Sequence, residues 1–153
     1  MEYKFDKPVH GIIGNEKYQC TIEWRNGKFI ADEPVTSGGK DSGPDPNSLL
    51  LSSLASCTLI TMRIFIDRRG WDIPQIAVNV NYYQEIKDEK TTTIIDRDIV
   101  FLSPVDEEQK LRLQEIVRYC PISKILENDI KVRTFISSDS GAEKIFNYID
   151  NYQ

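Results

Sequence analysis

Histidine and cysteine are scarce in this chain of 153 residues, with one His (His10) and three Cys (Cys20, Cys57 and Cys120). That scarcity removes whole classes of chemistry. A single imidazole leaves neither Cys57 nor Cys120 a sequence-near Cys/His pairing, which speaks against a papain-like hydrolase. No CxxC or HxxxH spacing joins His10, Cys20, Cys57 and Cys120, so a zinc site is counted out, and no metal or cofactor is expected. Basic runs are also missing. With 24 acidic and 19 basic residues the net charge is -5, which argues against nucleic acid or an anionic membrane as partner. The opening MEYKFDKPVHG lacks an apolar core of the signal-peptide kind. An odd cysteine count in such a chain does not suggest a structural disulfide framework. Reduced thiols in the cytoplasm are the expectation, and any disulfide would be transient. SGGKDSG, residues 37–43, has the glycines of a phosphate loop without its spacing. There is no internal repeat, linker or low-complexity segment, so residues 1–153 are read as a single domain.

What is present is a clear sequence of elements. The runs YQCTIEW and KFIADEP flank Asn26-Gly27, a hairpin signal, and HGIIGN before them reads as an edge strand. Residues 37–47, SGGKDSGPDPN, are turn chemistry leading into a helix. That helix is expected from about Ser48 to Arg69, with Pro46 in or just before its first turn. Asp45, Asn47 and Ser48 are its candidate caps, and Gly70 its stop. Residues 49–66 form the longest apolar stretch, barely long enough to span a bilayer, and are read instead as a buried helix of a soluble protein. Apolar or small residues occupy nearly every face. A chain this size can hardly surround such a helix, which hints at a homodimer interface beside it.

IAVNVNYY (76–83) alternates with period two and predicts a half-buried strand. TTTIIDRDIVFL (91–102) pairs with it across the polar EIKDEK turn. Ser103 as N-cap and Pro104 at N1 predict a helix to about Tyr119, its apolar face Leu111, Leu113, Ile116 and Val117. Cys120-Pro121 breaks it and opens the short helix PISKILEN. IKVRTFISS (130–138) reads as a strand, and a tail with Ile145, Phe146, Tyr148 and Ile149 as helical. Strands and helices are segregated, so the fold class is α+β.

Two cysteines stand out. Cys57 lies mid-helix in LLLSSLASCTLIT; buried cysteine often serves as a small hydrophobe, but Ser53, Ser56, Thr58 and Thr61 are nearby donors to a thiolate. Cys120 reads as the N-cap of the Pro121 helix, a position that lowers a thiol pKa; the plainer reading is a residue that fits the corner between two helices. Cys20, mid-strand between Gln19 and Thr21, reads as structural.

The stretch DEPVTSGGKDSGPDPNSLLLSSLASCTLITMRIFIDRRGW, followed by VRYCPISKIL, resembles the OsmC/Ohr family in its glycine-rich loop, proline turn, small-residue helix with a central cysteine and later Cys-Pro corner. The resemblance implies an intertwined homodimer whose antiparallel sheets wrap long central buried helices, with active sites at the dimer interface. It implies that Cys57 attacks an organic hydroperoxide as a thiolate, that Cys120 resolves the sulfenic acid as a disulfide, and that a dithiol reductant of lipoyl or other type resets the pair. It departs from the family pattern in one place. Characterised members carry a glutamate after the turn proline, which orients an arginine toward the thiol; here Asn47 and Ser48 follow Pro46. A gap-free comparison places Lys17 and Tyr18 near the arginine's position, with Arg25 one turn-length away. Arg63, six residues and about 240° around the helix from Cys57, does not easily reach that thiol in its own chain. Two alternatives follow: a non-catalytic dimer that binds an apolar ligand, and a thiol redox sensor.

Overall fold

The computed structural model describes residues 3–136. The segregated α+β order holds. Strands β1 (His10–Ile13), β2 (Cys20–Trp24) and β3 (Gly27–Ala31) form an antiparallel sheet. The first hairpin turns one residue earlier than its Asn-Gly signal suggests. Trp24 pairs with Gly27, so Arg25 and Asn26 make the turn. Gly27 is needed there for another reason: a Cβ would sit 2.3 Å from the Trp24 indole, which folds over it.

The glycine-rich loop after β3 is wound around one carboxylate. Asp32, buried, accepts hydrogen bonds from the backbone N–H groups of Tyr18, Glu33, Lys40 and Ser42. Burial pushes its carboxyl up, but the four donors outweigh that and hold its pKa at about 2. Two glycines let the loop close: a Cβ on Gly39 would meet the Glu33 carbonyl at 1.9 Å, and one on Gly43 the Ile30 carbonyl at 2.0 Å. Lys40 adds an ion pair with Glu16.

Helix α1 (Pro46–Arg69) follows at once. Of its candidate caps, Asp45 does the work, accepting from the N–H groups of Asn47 and Ser48 at 2.9 and 3.1 Å. Gly70 ends the helix at φ 65°. By length and apolarity α1 could cross a membrane, yet it packs laterally on the elements that follow it. The expectation of a helix buried on every side is met on one face only within this chain. Leu54, Thr58, Met62 and Ile66 are buried. Ile60 and Ile64 look outward.

Strands β4 (Ile76–Lys87) and β5 (Lys90–Phe101) form a second antiparallel sheet. The turn is tighter than the expected EIKDEK: Asp88 and Glu89, both at positive φ, suffice, and Lys87 pairs with Lys90. One face of the proximal half carries Ile76, Val78 and Val80 opposite Phe101, Ile99 and Arg97. Residues 83–93 are exposed throughout.

Helix α2 (Glu107–Ile116) begins later than its sequence signal. Ser103 does not cap it; Asp106 does, accepting from the Gln109 N–H while Gln109 reaches back to the Asp106 N–H. A reciprocal box satisfies two orphan donors where a lone serine satisfies one. The helix tightens to a 3-10 turn at Val117–Tyr119, then Cys120 leads into α3 (Pro121–Leu126). Met62, Ile66, Ile73, Leu113 and Val117 form the core where α1, α2 and the β4–β5 sheet meet. Phe65 closes it edge-on against Trp71.

The strand expected at 130–138 is absent from the described part of that segment, residues 130–136. Its pattern is strand-like, but no neighbouring strand is available among the described residues, and Val132 and Ile136 are 87% and 96% exposed. A strand is stable only in a ladder. Residues 137, 138 and the expected tail helix lie outside the described residues.

Candidate functional site

Cys57 and Cys120 are brought together. α1 supplies Cys57, half-buried, and the corner between α2 and α3 supplies Cys120, fully buried at 0% exposure. The two thiols hydrogen-bond to each other. All three cysteines are unbridged, and Cys20 stands apart on β2, its S–H 3.7 Å from the Tyr18 carbonyl.

The surroundings push the two thiols in opposite directions. Burial pushes the Cys57 thiol up, and the adjacent Cys120 sulfur adds to this against the Ile122 N–H and the Thr61 hydroxyl. Burial acts upward on Cys120 too. There it is outweighed by hydrogen bonds from the Cys57 S–H, the Ser123 N–H and hydroxyl, and the Ile122 N–H, so the Cys120 thiol ends below its ordinary value. The sequence reading of Cys120 as the more acidic thiol is met in direction, and its helix-terminus cause is met in part. Part of the lowering comes from the first-turn N–H groups of α3, those of Ile122 and Ser123, and the largest single part from the neighbouring Cys57 thiol.

Of the four hydroxyls expected to serve Cys57, only Thr61 does. Ser53 donates to the Leu50 carbonyl, Ser56 to the Ser53 carbonyl and Thr58 to the Leu54 carbonyl. A hydroxyl on a helix has a carbonyl of the preceding turn within reach, and that partner wins.

The backbone N–H groups of Asn47 and Ser48 donate to Asp45, and the Ser48 hydroxyl does so as well, at 2.5 Å. Arg63 is spent on the segment between α1 and β4, donating to the carbonyls of Ile73 and Pro74 at 2.8 and 3.1 Å. Arg25 sits in the exposed first turn.

Sequence reasoning missed Arg97. From β5, its Nη1 donates to Thr58 Oγ1 at 2.9 Å and to Ser123 Oγ at 3.0 Å, one acceptor beside each cysteine. A signal was there to be read. With period two, IIDRDIVF places Arg97 in line with Ile95, Ile99 and Phe101, an arginine on an apolar face, while Asp96 and Asp98 point away. Arg97 also lines two cavities: one of about 360 Å³ with Leu54, Ile95, Asp96 and Glu127, and one of about 400 Å³ over Met62, Ile99, Phe101 and Leu113. Among the described residues no group of His, Cys, Asp and Glu could hold a metal ion.

Two neighbouring free thiols thus sit in a helix-and-hairpin frame, and comparison with known proteins places the frame. Residues 39–135 match the family described as OsmC-like protein. That is well over half of the sequence, and the chain belongs to this family. The fold is similar to that of an OsmC-like protein from Mycoplasma pneumoniae, at 21% identity and a TM-score of 0.68, covering 84% of this chain and 90% of that one. It is similar also to an organic hydroperoxide resistance protein OsmC from Legionella pneumophila, at 14% identity and a TM-score of 0.61 over 86% and 96% of the two chains. A third similar structure is an organic hydroperoxide resistance protein from Elizabethkingia anophelis, at 18% identity and a TM-score of 0.58 over 85% and 95%. No curated protein matches the sequence.

Proposed function

We propose that this protein is a cytoplasmic two-cysteine thiol peroxidase that reduces organic hydroperoxides. The observation that carries the reading is the hydrogen-bonded pair of Cys57 and Cys120 in a chain of the OsmC-like family, two of whose structural neighbours are named for organic hydroperoxide resistance.

The geometry suggests an order of events. Cys57 is the half-exposed thiol and Cys120 the enclosed one, so a hydroperoxide meets Cys57. As Cys57 attacks the peroxide oxygen, Cys120 takes its proton; the O–O bond breaks and the alcohol leaves carrying a proton. Cys57 is then a sulfenic acid. Cys120, relieved of its proton, attacks that sulfur, forms the disulfide and releases water. An external dithiol, of lipoyl or other type, restores both thiols.

The working unit is a homodimer on this reading. Leu50, Ile60 and Ile64 leave an apolar stripe of α1 uncovered, and the first sheet buries only Ala31 among its strands. A second copy of the chain is the occupant that suits both surfaces. Nucleic acid and membrane are not partners on this reading.

The test follows free thiols while reduced protein meets cumene hydroperoxide or hydrogen peroxide. Loss should be faster than in the denatured chain and faster with cumene hydroperoxide. Cys57→Ser should abolish it, and Cys120→Ser should preserve the first oxidation and leave a sulfenic acid for a trapping reagent. Rates no faster than those of denatured protein would exclude the enzyme. The alternative, a non-catalytic dimer binding an apolar ligand, is favoured by one feature: the positions after Pro46 are Asn47 and Ser48, neither of which can form an ion pair with an arginine. A redox sensor would form the same disulfide without fast turnover.

A further inference from the structure

We propose that Arg97 is a positioning residue for Cys120, acting through Ser123: its guanidinium donates to Ser123 Oγ and so turns the serine hydrogen onto the Cys120 sulfur. The inference rests on the dithiol reading for its purpose, but its test does not need peroxide.

Two hydroxyls face Arg97, and both accept from it. Thr58 Oγ1 donates to the Leu54 carbonyl at 2.7 Å, so toward Arg97 it can only accept. Arg97 Nη1 therefore donates to it at 2.9 Å, and the same nitrogen donates to Ser123 Oγ at 3.0 Å. Thr58 and Ser123 are buried, with 0% and 4% of their surface exposed. Ser123 is the third residue of α3, one turn after its N-cap Cys120; with a lone pair facing the guanidinium, its hydrogen is left to point toward that sulfur, the direction in which the serine lowers the Cys120 pKa. A cation behind a hydroxyl makes that hydroxyl a stronger donor.

The charged and titratable surroundings leave this role to Arg97. Cys57 faces Cys120 from α1. Lys124 on α3 lies over the Tyr119 ring. Asp96 and Glu127 line the cavity beside Ser123, and none of the ion pairs among the described residues includes Arg97.

The consequence is a direction for reduction. When the thiolate of a dithiol reductant attacks the Cys57–Cys120 disulfide, a new bond forms to one sulfur and the other leaves with the electron pair. The better-stabilised thiolate leaves faster. Arg97 and Ser123 make that thiolate Cys120, and the attacked sulfur is then Cys57, which is also the less buried one. The reductant's second thiolate displaces Cys57, closing the reductant's own disulfide and leaving both cysteines reduced.

The experiment titrates Cys120 alone, by ultraviolet thiolate absorbance against pH, in a full-length chain carrying Cys20→Ser and Cys57→Ser. Ser123→Ala and Arg97→Gln should each raise the midpoint by about one pH unit. Ser123→Thr and Arg97→Lys should recover much of the difference. The sharp arm is the double variant: because Arg97 acts through Ser123, Arg97→Gln should add nothing once Ser123→Ala is in place. Circular dichroism and thermal melting check that each variant is folded; if Arg97→Gln is not, Ser123→Ala against Ser123→Thr decides the serine step and Arg97→Lys, with and without Ser123→Ala, decides the arginine step. An undiminished Arg97 effect in the Ser123→Ala background would overturn the relay, as would folded variants with an unmoved midpoint.

Discussion

The two faces of α1 have similar residues and opposite surroundings. One stripe, Leu54, Thr58, Met62 and Ile66, repeats every four residues and is buried against the β4–β5 sheet, α2 and α3. The opposite stripe, Ser52, Ser56, Ile60 and Ile64, repeats the same way and faces out, Ile60 with 60% of its surface exposed. Because apolar and small residues appear on both sides, hydropathy cannot tell them apart. What distinguishes them is the polar atom each stripe carries. On the inner face Thr58 offers a lone pair to Arg97; on the outer face Ser56 turns its proton back to its own helix. The inner face is a core with one polar anchor, and the outer face is apolar surface uncovered within this chain.

The largest expected effect that tests this contrast is Met62→Ala. Met62 is fully buried at the centre of the core, and removing it should cost about 2–5 kcal/mol, read as a lower denaturation midpoint in urea. A loss under about 1 kcal/mol would mean that the inner face is not the one that holds the fold. Thr58→Val comes next. The substitution keeps the volume but presents a methyl to Arg97 Nη1, leaving a partly buried cation one acceptor short, at about 1–3 kcal/mol. Thr58→Ser, which keeps the acceptor, should recover most of it, measured in the same urea series.

The glycine-rich loop supplies a third test, in pH rather than sequence. The Asp32 pKa is about 2 in the folded chain against an ordinary 3.8. A depressed carboxyl contributes stability that is fully present above the ordinary value and is lost as pH falls toward the folded one. Wild-type protein should therefore lose stability between about pH 4 and 2 more steeply than Asp32→Asn, which lacks the titrating group. Parallel acid profiles would show that the loop does not depend on the carboxylate.

These contrasts also mark what a sequence can carry. The α+β order, the caps of α1 at Asp45 and Gly70, and the period-two face of β4 were legible because each depends on neighbours in the chain. The pairing of Cys57 with Cys120 was not, since it joins residues 63 positions apart across two helices; the resemblance to a family proposed it, and packing delivers it. Arg97 was half-legible. Its alternation with Ile95 and Ile99 announces an inward charge, but its partners Thr58 and Ser123 come from two other elements. The strand expected at 130–138 misled because β propensity describes a fit to a pleated surface, and the described residues 130–136 have no ladder to join.

The smallest expected change in the chain's own stability lies on the outer face, and it separates the two stripes most clearly. Ile60 and Ile64 are 60% and 47% exposed, so within one chain their substitution by aspartate removes little buried area and should shift the stability of the isolated chain by only about 0.5 kcal/mol. If a second copy covers this stripe, the same two charges are placed opposite their own symmetry mates in an apolar interface, where neither desolvation nor like-charge repulsion is compensated. Ile60→Asp/Ile64→Asp should therefore behave as a folded monomer in sedimentation experiments at concentrations where the parent protein sediments as a dimer. A parent that is itself monomeric, or a variant that still dimerises, would mean that the outer face of α1 is ordinary surface.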